Sequence, residues 1–416
     1  MGVKKTGGVT DLSELKYWLW LSSLVWLRPR AKVLLLNALG GARETYFAAE
    51  SELKELDFLS EREVAMLSDK SLESAKKIAD ACESAGISIL TLRDAAYPRR
   101  LAGIYDPPAV LYVRGRLPAV DELAAVAVVG TRKATPYGLK MATRLGYELT
   151  RCGGLVVSGL TAGVDSAAAR GALMAGGRCI GVLGTPIDAG GKSAELAGDV
   201  ALTGAVVSEY PPGARQHGSF FRARNRISAG LSVAAVVVEA PAKSGALLFA
   251  NEAMSQGREI FAVPGNADSP NSVGTNDLLM DGAIPATGGW DILCGFERRY
   301  PGLADPGGPR RKMPEEREVE CLRQESVSRP AEPQPEPETA EPEPYEPPDI
   351  SELLKDLDET QLALVRAIDG PSVHIDKIAE RSGLPMNTVL KELTMLQLMG
   401  VVTMVSYKCF ALAAPD

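Results

Sequence analysis

Arginine and aromatic side chains are concentrated between Tyr210 and Arg226, and this stretch has the most distinctive chemistry in the chain. It contains four arginines, one histidine and two adjacent phenylalanines, and it contains no acidic residue. Guanidinium groups bind phosphate oxygens through paired hydrogen bonds, and phenylalanine rings stack on bases. The stretch, called the arginine segment below, therefore predicts a site for single-stranded nucleic acid. The alternative is a surface loop whose arginines pair with neighbouring carboxylates.

Length and composition limit the class of protein. A chain of 416 residues predicts two to three domains, because one hydrophobic core rarely grows that large. The six cysteines have no C-x-x-C spacing and there are only two histidines, so we expect no metal, no cofactor and no disulfide framework, in a cytoplasmic protein. No apolar run reaches the ~20 residues of a membrane span, which predicts no membrane partner.

The formal net charge of −8 is concentrated in one region of the chain. Residues 330–349 contain six glutamates, one aspartate and no basic residue, which leaves the rest of the chain close to neutral. The acidity therefore does not exclude a local site for a polyanion.

Apolar runs of strand length alternate with helical stretches from Ala124 onward. Because these runs lack polar alternation, each strand is expected to be buried on both faces, which predicts an α/β fold with a doubly wound, mostly parallel sheet. The predicted strands are 125–130, 155–159, 179–184, 205–209, 234–239 and 260–265.

Small and polar residues follow these strands. In an open α/β sheet, backbone N–H groups and helix N-termini converge on ligands at the carboxyl edge. The turn at Gly130 lacks G-x-G-x-x-G spacing, and no G-x-x-x-x-G-K-[ST] loop is present, so neither a dinucleotide nor a nucleoside triphosphate is indicated. We expect three loops to face phosphates, with glycines that only permit tight turns as the alternative: 131–132, 158–163 and 243–245.

The regions on either side of the sheet have different patterns. A capping box at Ser60 and Glu63 and helical periodicity from Leu72 to Cys82 predict a helical domain over residues 1–95, of the SAM or helix-hairpin-helix type. Prolines predict an extended connector from about residue 97 to residue 115.

The C-terminal part of the chain begins with a stretch rich in Pro and Glu, which predicts an extended linker over 301–349. A cap at Asp358 and Gln361, helices over 375–381 and from 385, and a hairpin over 401–412 predict a winged-helix domain over 350–416. This domain has six basic residues against nine acidic ones, so a duplex-binding role and a protein-interaction or oligomerisation role both remain open.

The order of short motifs along the chain closely resembles the DNA-processing protein A (DprA/Smf) family. The resemblance is dense over residues 97–290 and looser in the flanks. It rests on these residues: Gly130-Thr131-Arg132, Ser158-Gly159-Leu160, Gly163-Val164-Asp165-Ser166, Ser208-Glu209-Tyr210-Pro211, Phe221, Arg224-Asn225-Arg226, Lys243-Ser244-Gly245, Gly257-Arg258, Val263-Pro264-Gly265, Gly274 and Asn276.

The resemblance implies an extended Rossmann-like domain over 96–300 that binds single-stranded DNA without catalysis. It also implies a homodimer that protects incoming DNA and loads the RecA recombinase during natural transformation. Arg132, Arg224 and Lys243 would contact phosphates and Phe221 a base. Asn225 and Arg226 would shape the loop, with a strand contact by Arg226 as the alternative. The full implied DNA-binding set is Gly130, Thr131, Arg132, Ser158, Gly159, Gly163, Phe221, Arg222, Arg224, Asn225, Arg226, Lys243, Ser244 and Gly245.

Several positions depart from the family pattern, which leaves base preference open. They are Ala169, Pro186, Gly191, Lys192, Arg222 and Phe249. Two other functions remain as alternatives: a Rossmann-type enzyme that cleaves nucleoside monophosphates, and a protein adaptor. The helix that contains Leu278 and Leu279 is the candidate for dimerisation, with packing of its apolar face in the core as the alternative.

Overall fold

The computed structural model describes residues 12–191, 193–306, 357–370, 373–399, 401–406 and 409–412. Lys192 and most of the predicted linker over 301–349 therefore lie outside the described residues. The chain divides into two compact units, Met1–Val327 and Ser328–Asp416. The predicted domain limits within the first unit stay predictions.

The first unit begins with six helices and continues as a sheet with interleaved helices. The helices are α1 Leu12–Ser23, α2 Pro29–Leu39, α3 Ala42–Phe47, α4 Glu50–Lys54, α5 Glu61–Ser68, α6 Glu73–Ser84, α7 Arg99–Ala102, α8 Pro136–Arg151, α9 Val164–Met174, α10 Ala194–Thr203, α11 Ser219–Ala223, α12 Asn225–Leu231, α13 Gly245–Ser255, α14 Val273–Met280 and α15 Gly289–Leu293. The strands are β1 Ser88–Thr91, β2 Val110–Gly115, β3 Ala125–Val129, β4 Leu155–Ser158, β5 Cys179–Leu183, β6 Ala205–Ser208, β7 Ala234–Val237, β8 Glu259–Ala262 and β9 Ile284–Pro285.

The nine strands form one sheet in the order β1-β2-β6-β5-β4-β3-β7-β8-β9. Strands β3 to β9 pair in parallel, whereas β1 pairs with β2 and β2 pairs with β6 in antiparallel orientation. The predicted α/β class with a mostly parallel sheet is confirmed. The expectation of an extended connector up to residue 115 was wrong, because Val110–Gly115 extends the sheet beside β6.

Both faces of the sheet are buried, as the apolar runs indicated. Alternate residues of β3 belong to two cores: Val126 and Val128 pack with α8 and α9, and Ala125 and Ala127 pack with α12 and α13. The first core also includes the buried side chains of α1, such as Trp18. The N-terminal helices therefore share a core with the sheet.

The second unit contains α16 Glu359–Arg366, β10 Val373–His374, α17 Ile375–Ser382, α18 Met386–Leu398, β11 Val402–Ser406 and β12 Cys409–Leu412. The strands pair in the order β10-β12-β11, and both pairs are antiparallel. Asp358 and Gln361 form the predicted capping box. Val389, Leu393 and Leu396 lie in the core of this unit. Three helices with a small antiparallel sheet form the predicted winged helix.

In the described part of the chain, no helix combines the length and apolarity needed to cross a bilayer.

A lysine is buried between the N-terminal helices and the arginine segment. Lys32 on α2 is only 5% exposed. Burial lowers the pKa of Lys32 to about 8, while the charge of Glu209 raises it and that of Arg226 lowers it. In the unfolded chain the pKa returns to its ordinary value of 10.5. Between these values the unfolded state binds more protons, so the protein gains stability as pH rises.

We expect the substitution Lys32→Met to increase the free energy of unfolding at pH 7, because it replaces a buried, charged side chain with an uncharged one of similar length. The gain is at most about 3 kcal/mol, and it should shrink as the pH approaches 10, where wild-type Lys32 is neutral in the folded state. Denaturant titrations of both proteins at several pH values measure it. The exposed Lys76, changed to Met, is the control and should show no such trend. If the difference in unfolding free energy between wild type and Lys32→Met does not vary with pH, the lowered pKa of Lys32 is contradicted.

Candidate nucleic-acid interface

A cleft of about 450 Å³ opens at the carboxyl edge of the parallel strands. Its walls come from the loops after β3, β4 and β7 and from the arginine segment. Strand β3 lies between β4 and β7, so the chain leaves β3 toward one side of the sheet and returns on its other side at β7. This is the topological switch point of the sheet, where open α/β folds bind ligands.

The floor of the cleft contains a buried arginine beside a buried aspartate. Arg224 is 8% exposed, and its Nη1 donates a hydrogen bond of 2.9 Å to the carbonyl of Val182 on β5. Asp165 is 5% exposed and accepts a 2.9 Å hydrogen bond from the Thr161 hydroxyl. Burial lowers the pKa of Arg224, and the charge of Asp165 raises it. Each charge therefore offsets part of the other's desolvation cost.

Space for this pair depends on Gly159. A Cβ atom built at position 159 would overlap both Nη1 of Arg224 and Oδ2 of Asp165. The glycine that follows β4 therefore does more than permit a tight turn, because any side chain there would displace the charged pair.

Three exposed cations lie around this floor: Arg132, Arg222 and Lys243. The guanidinium of Arg132 lies 5.1 Å from the ring centroid of Phe221, a cation–π arrangement. Phe221 is only partly exposed. The cleft thus has a positive rim and an aromatic wall, and one acidic side chain, that of Asp165, lines it beside Arg224.

The loop after β7 delivers a helix N-terminus to the cleft. Helix α13 begins at Gly245, and the hydroxyl of its N-cap residue Ser244 accepts a 3.2 Å hydrogen bond from the backbone N–H of Ala246. Ser244, Gly245 and Ala246 all line the cleft. The positive end of the helix dipole favours an anion at this position.

The cleft contains eleven of the fourteen residues that the sequence singled out: Gly130, Thr131, Arg132, Gly159, Phe221, Arg222, Arg224, Asn225, Lys243, Ser244 and Gly245. Ser158, Gly163 and Arg226 lie outside its lining. The Ser158 hydroxyl instead donates to the carbonyl of Asp165 over 2.8 Å. Gly163 has a φ of 85°, and a Cβ there would collide with the backbone of Thr131 and Arg132. These two residues shape the loop that forms the cleft wall.

Arg226 points away from the cleft and into the protein. Its Nη2 donates to both carboxylate oxygens of Glu209 at 2.7 Å, and its Nε lies 3.2 Å from Oδ2 of Asp106. The arginine is 5% exposed. Two carboxylates hold its guanidinium and it does not line the cleft, which is consistent with the loop-shaping role expected for it.

The cleft wall also contains side chains outside the implied DNA-binding set, among them Thr161, Asp165 and Phe249. Thr161 lies in the loop 158–163 that was expected to face phosphates. Asp165 lies in the first turn of α9, and the signal that could have found it is a carboxylate at the start of a helix, six residues after Gly159. Phe249 is a departure from the family pattern, and it lies buried in the cleft wall at 3% exposure. Ala169 is buried in α9.

Two family models match the chain. The model for DNA recombination-mediator protein A matches residues 88–297, and the model for the DprA winged helix domain matches residues 330–406. The chain belongs to the DNA recombination-mediator protein A family. The resemblance indicated by the sequence motifs is therefore confirmed.

Relatives in this family match most of the chain or its central part. Protein Smf of Synechocystis is 32% identical over 325 residues, which cover 76% of this chain and 77% of the relative. The DNA processing protein DprA of Bacillus subtilis is 36% identical over 228 residues, which cover 53% of this chain and 75% of the relative. The X-ray structure of DprA from Streptococcus pneumoniae has a TM-score of 0.58 at 31% identity, and the match covers 67% of this chain and 97% of that one.

We expect Gly159→Ala to abolish much of the cleft's affinity for an anionic ligand, because the new methyl group displaces Arg224. Loss of one charge-assisted hydrogen bond predicts roughly tenfold to hundredfold weaker binding of a fluorescent oligonucleotide in polarisation titrations. Gly190→Ala is the matched control, since a Cβ at that exposed glycine meets nothing within 4 Å. Equal affinity of the two variants would show that Arg224 does not take part in binding.

Proposed function

We propose that this protein binds single-stranded DNA in the cleft at the carboxyl edge of the sheet, protects incoming strands and loads the RecA recombinase onto them during natural transformation, without catalytic turnover. The observation that carries the proposal is the combination of cations and an aromatic ring around one open cleft: Arg132, Arg222, Lys243 and Arg224 with Phe221. Membership of the DNA recombination-mediator family supports it.

The exposure of each cation in the cleft indicates which part of the strand it would contact. Arg132, Arg222 and Lys243 are exposed and would neutralise phosphates along the strand. Arg224 is buried, and its Nε has no hydrogen-bond partner among the described residues, so it is suited to one phosphate oxygen that enters the floor. The N-terminus of α13 supplies further donors. Contacts of this kind hold the backbone of any sequence.

An unpaired strand fits the cleft better than a duplex. Phe221 is a stacking surface only for a base that is not already stacked within a double helix. The guanidinium of Arg132 lies 5.1 Å from the centroid of the same ring. A group that would contact a phosphate is therefore next to a group that would contact a base. This pairing of a cation with an aromatic ring recurs in channels that bind single strands without sequence preference.

The enzymatic alternative has less support. Related Rossmann-type hydrolases of nucleoside monophosphates use a P-G-G-x-G-T-x-x-E loop. This chain has Ser244-Gly245-Ala246-Leu247-Leu248-Phe249 there, without the glycine pair or the threonine. The buried ring of Phe249 occupies the wall where that loop would act.

The homodimer belongs to the same proposal, but its residues differ from those chosen from the sequence. Leu278 is buried in the core on the α12 and α13 side of the sheet, and Leu279 packs against that core. Their neighbours are the exposed ones: Met280 is 88% exposed and Ile284, on the edge strand β9, is 45% exposed. An apolar edge of this kind is suited to a second copy of the chain.

Titration with labelled oligo-dT is the test of DNA binding. If three to five phosphates are neutralised, log affinity falls with log salt at a slope of roughly −2 to −3.5. We expect Lys243→Ala to flatten that slope by about 0.7 and to weaken binding of all sequences alike. Exposed Arg298, which lies outside the cleft, gives the matched control Arg298→Ala. A slope that Lys243→Ala leaves unchanged would remove this lysine from the phosphate contacts.

Two further measurements distinguish the proposed function from the enzyme and from the protein adaptor. Preference for duplex over single strand, or hydrolysis of nucleoside monophosphates, would contradict the proposed function. Indifference to oligonucleotides at low ionic strength would favour a protein adaptor. RecA loading is measured as faster RecA filament formation on strands that a single-strand-binding protein has covered.

We expect Met280→Glu to shift the protein from dimer to monomer in sedimentation equilibrium, because a buried, unpaired carboxylate would be placed in the interface. Leu202 on α10 is 86% exposed, and Leu202→Glu is the control that should leave the association state unchanged. A dimer that persists in the Met280→Glu protein would place the interface elsewhere.

A further inference from the structure

Trp26 differs from the other tryptophans of the N-terminal helices. Trp18 and Trp20 are 2% and 1% exposed, whereas Trp26, in the turn between α1 and α2, is 51% exposed. A single exposed aromatic ring is common at protein surfaces and does not by itself indicate a binding site. Its significance comes from the residues that support it.

The ring of Trp26 rests on the arginine segment. Its centroid lies 5.0 Å from the ring of His217 at an interplanar angle of 79°, and 5.8 Å from the ring of Phe220 at 44°. Phe220 in turn stacks on Tyr210 at 3.8 Å, and both are buried. The indole is therefore fixed by aromatic contacts on one side, while half of its surface remains open to solvent.

Helix α11 joins this cluster to the cleft. Phe220 and Phe221 are consecutive on it, yet Phe220 packs toward Trp26 while Phe221 lines the cleft beside Arg132. Gly218, which follows His217, also lines the cleft. The exposed indole therefore lies one short helix away from the proposed strand path.

The charges of the arginine segment, on which the indole rests, favour a polyanion as its partner. Arg215 and Arg222 are both exposed on the arginine segment, which contains no acidic residue over its whole length. A protein partner with an apolar contact would have to bury these unpaired charges. A nucleic-acid strand would instead neutralise them and offer a base to the ring.

We propose that Trp26, supported by His217 and Phe220, is a stacking platform for an unpaired base of the strand that leaves the cleft past Gly218. The inference rests on the proposed function, and it extends the DNA site onto the N-terminal helices. A strand long enough to fill the cleft and continue past α11 gains one base–aromatic stack. A strand confined to the cleft does not.

The test compares oligo-dT of about 4 and about 16 nucleotides, the range of single-strand site sizes. Trp26→Ala should weaken binding of the long strand roughly 5- to 100-fold, the effect of one lost stack, and should leave the short strand unchanged. Trp26→Phe keeps a stacking ring and should stay within about threefold of wild type on the long strand. The control is Phe47→Ala, since Phe47 is an exposed aromatic of the same helical region at 65% exposure.

Tryptophan fluorescence gives a second readout that does not depend on affinity. A base stacked on an indole quenches its emission, so the long strand should quench wild-type fluorescence and Trp26→Phe should lose that quenching while still binding. Because Trp26→Phe retains the ring contacts, this measurement remains decisive if Trp26→Ala fails to fold.

The outcomes separate the inference from the function on which it rests. Undiminished quenching in Trp26→Phe, or equal affinity of wild type and Trp26→Ala for the long strand, would overturn the platform and leave cleft binding intact. So would equal losses on both strand lengths, or an equal loss in Phe47→Ala, because these indicate a general structural effect. Failure of the wild-type protein to bind either strand would overturn the proposed function as well.

Discussion

The buried arrangement of Arg226 with Glu209 and Asp106 is the interaction on which the rest of the proposed site depends. It joins the arginine segment to the residue after β6 and to the connector before β2. Burial lowers the pKa of Arg226, and the two carboxylates together raise it by more, so the guanidinium stays charged. Removing both carboxylates would leave a buried charge without compensation, which is among the costliest changes in a folded protein.

This anchor explains why neighbouring residues of one short segment have different roles. Arg226 is fixed inward, Arg224 forms the cleft floor beside Asp165, and Arg222 and Phe221 reach the cleft from α11. A segment held at its base presents its remaining side chains with little loss of conformational entropy on binding. Gly159 completes the arrangement, because the absence of a side chain leaves room for Arg224.

The N-terminal helices are part of the same structure. Their buried side chains belong to the core that covers one face of the sheet, and Lys32 lies near the charges of Glu209 and Arg226. The turn that follows α1 places Trp26 against the arginine segment. Packing between these helices and the sheet thus determines which part of the segment faces solvent.

The sequence by itself determined the elements and their chemistry. Unbroken apolar runs gave the buried strands, capping residues gave the helix starts, and the ordered loop motifs indicated the family, since all of these signals are local. Most cleft residues were identified because parallel strands place their following loops at one edge. Val110–Gly115 was mistaken for a connector because it enters the sheet by pairing with β6, a strand distant in sequence.

Only the tertiary structure decided where individual side chains point. An arginine's type does not reveal whether it meets a phosphate or a carboxylate, and Arg226 turned inward because Glu209 and Asp106 lie within reach across the fold. Leu278 entered the core and left Met280 exposed for the same reason. Such choices depend on contacts between residues far apart in the chain, and no local pattern of residue types records them.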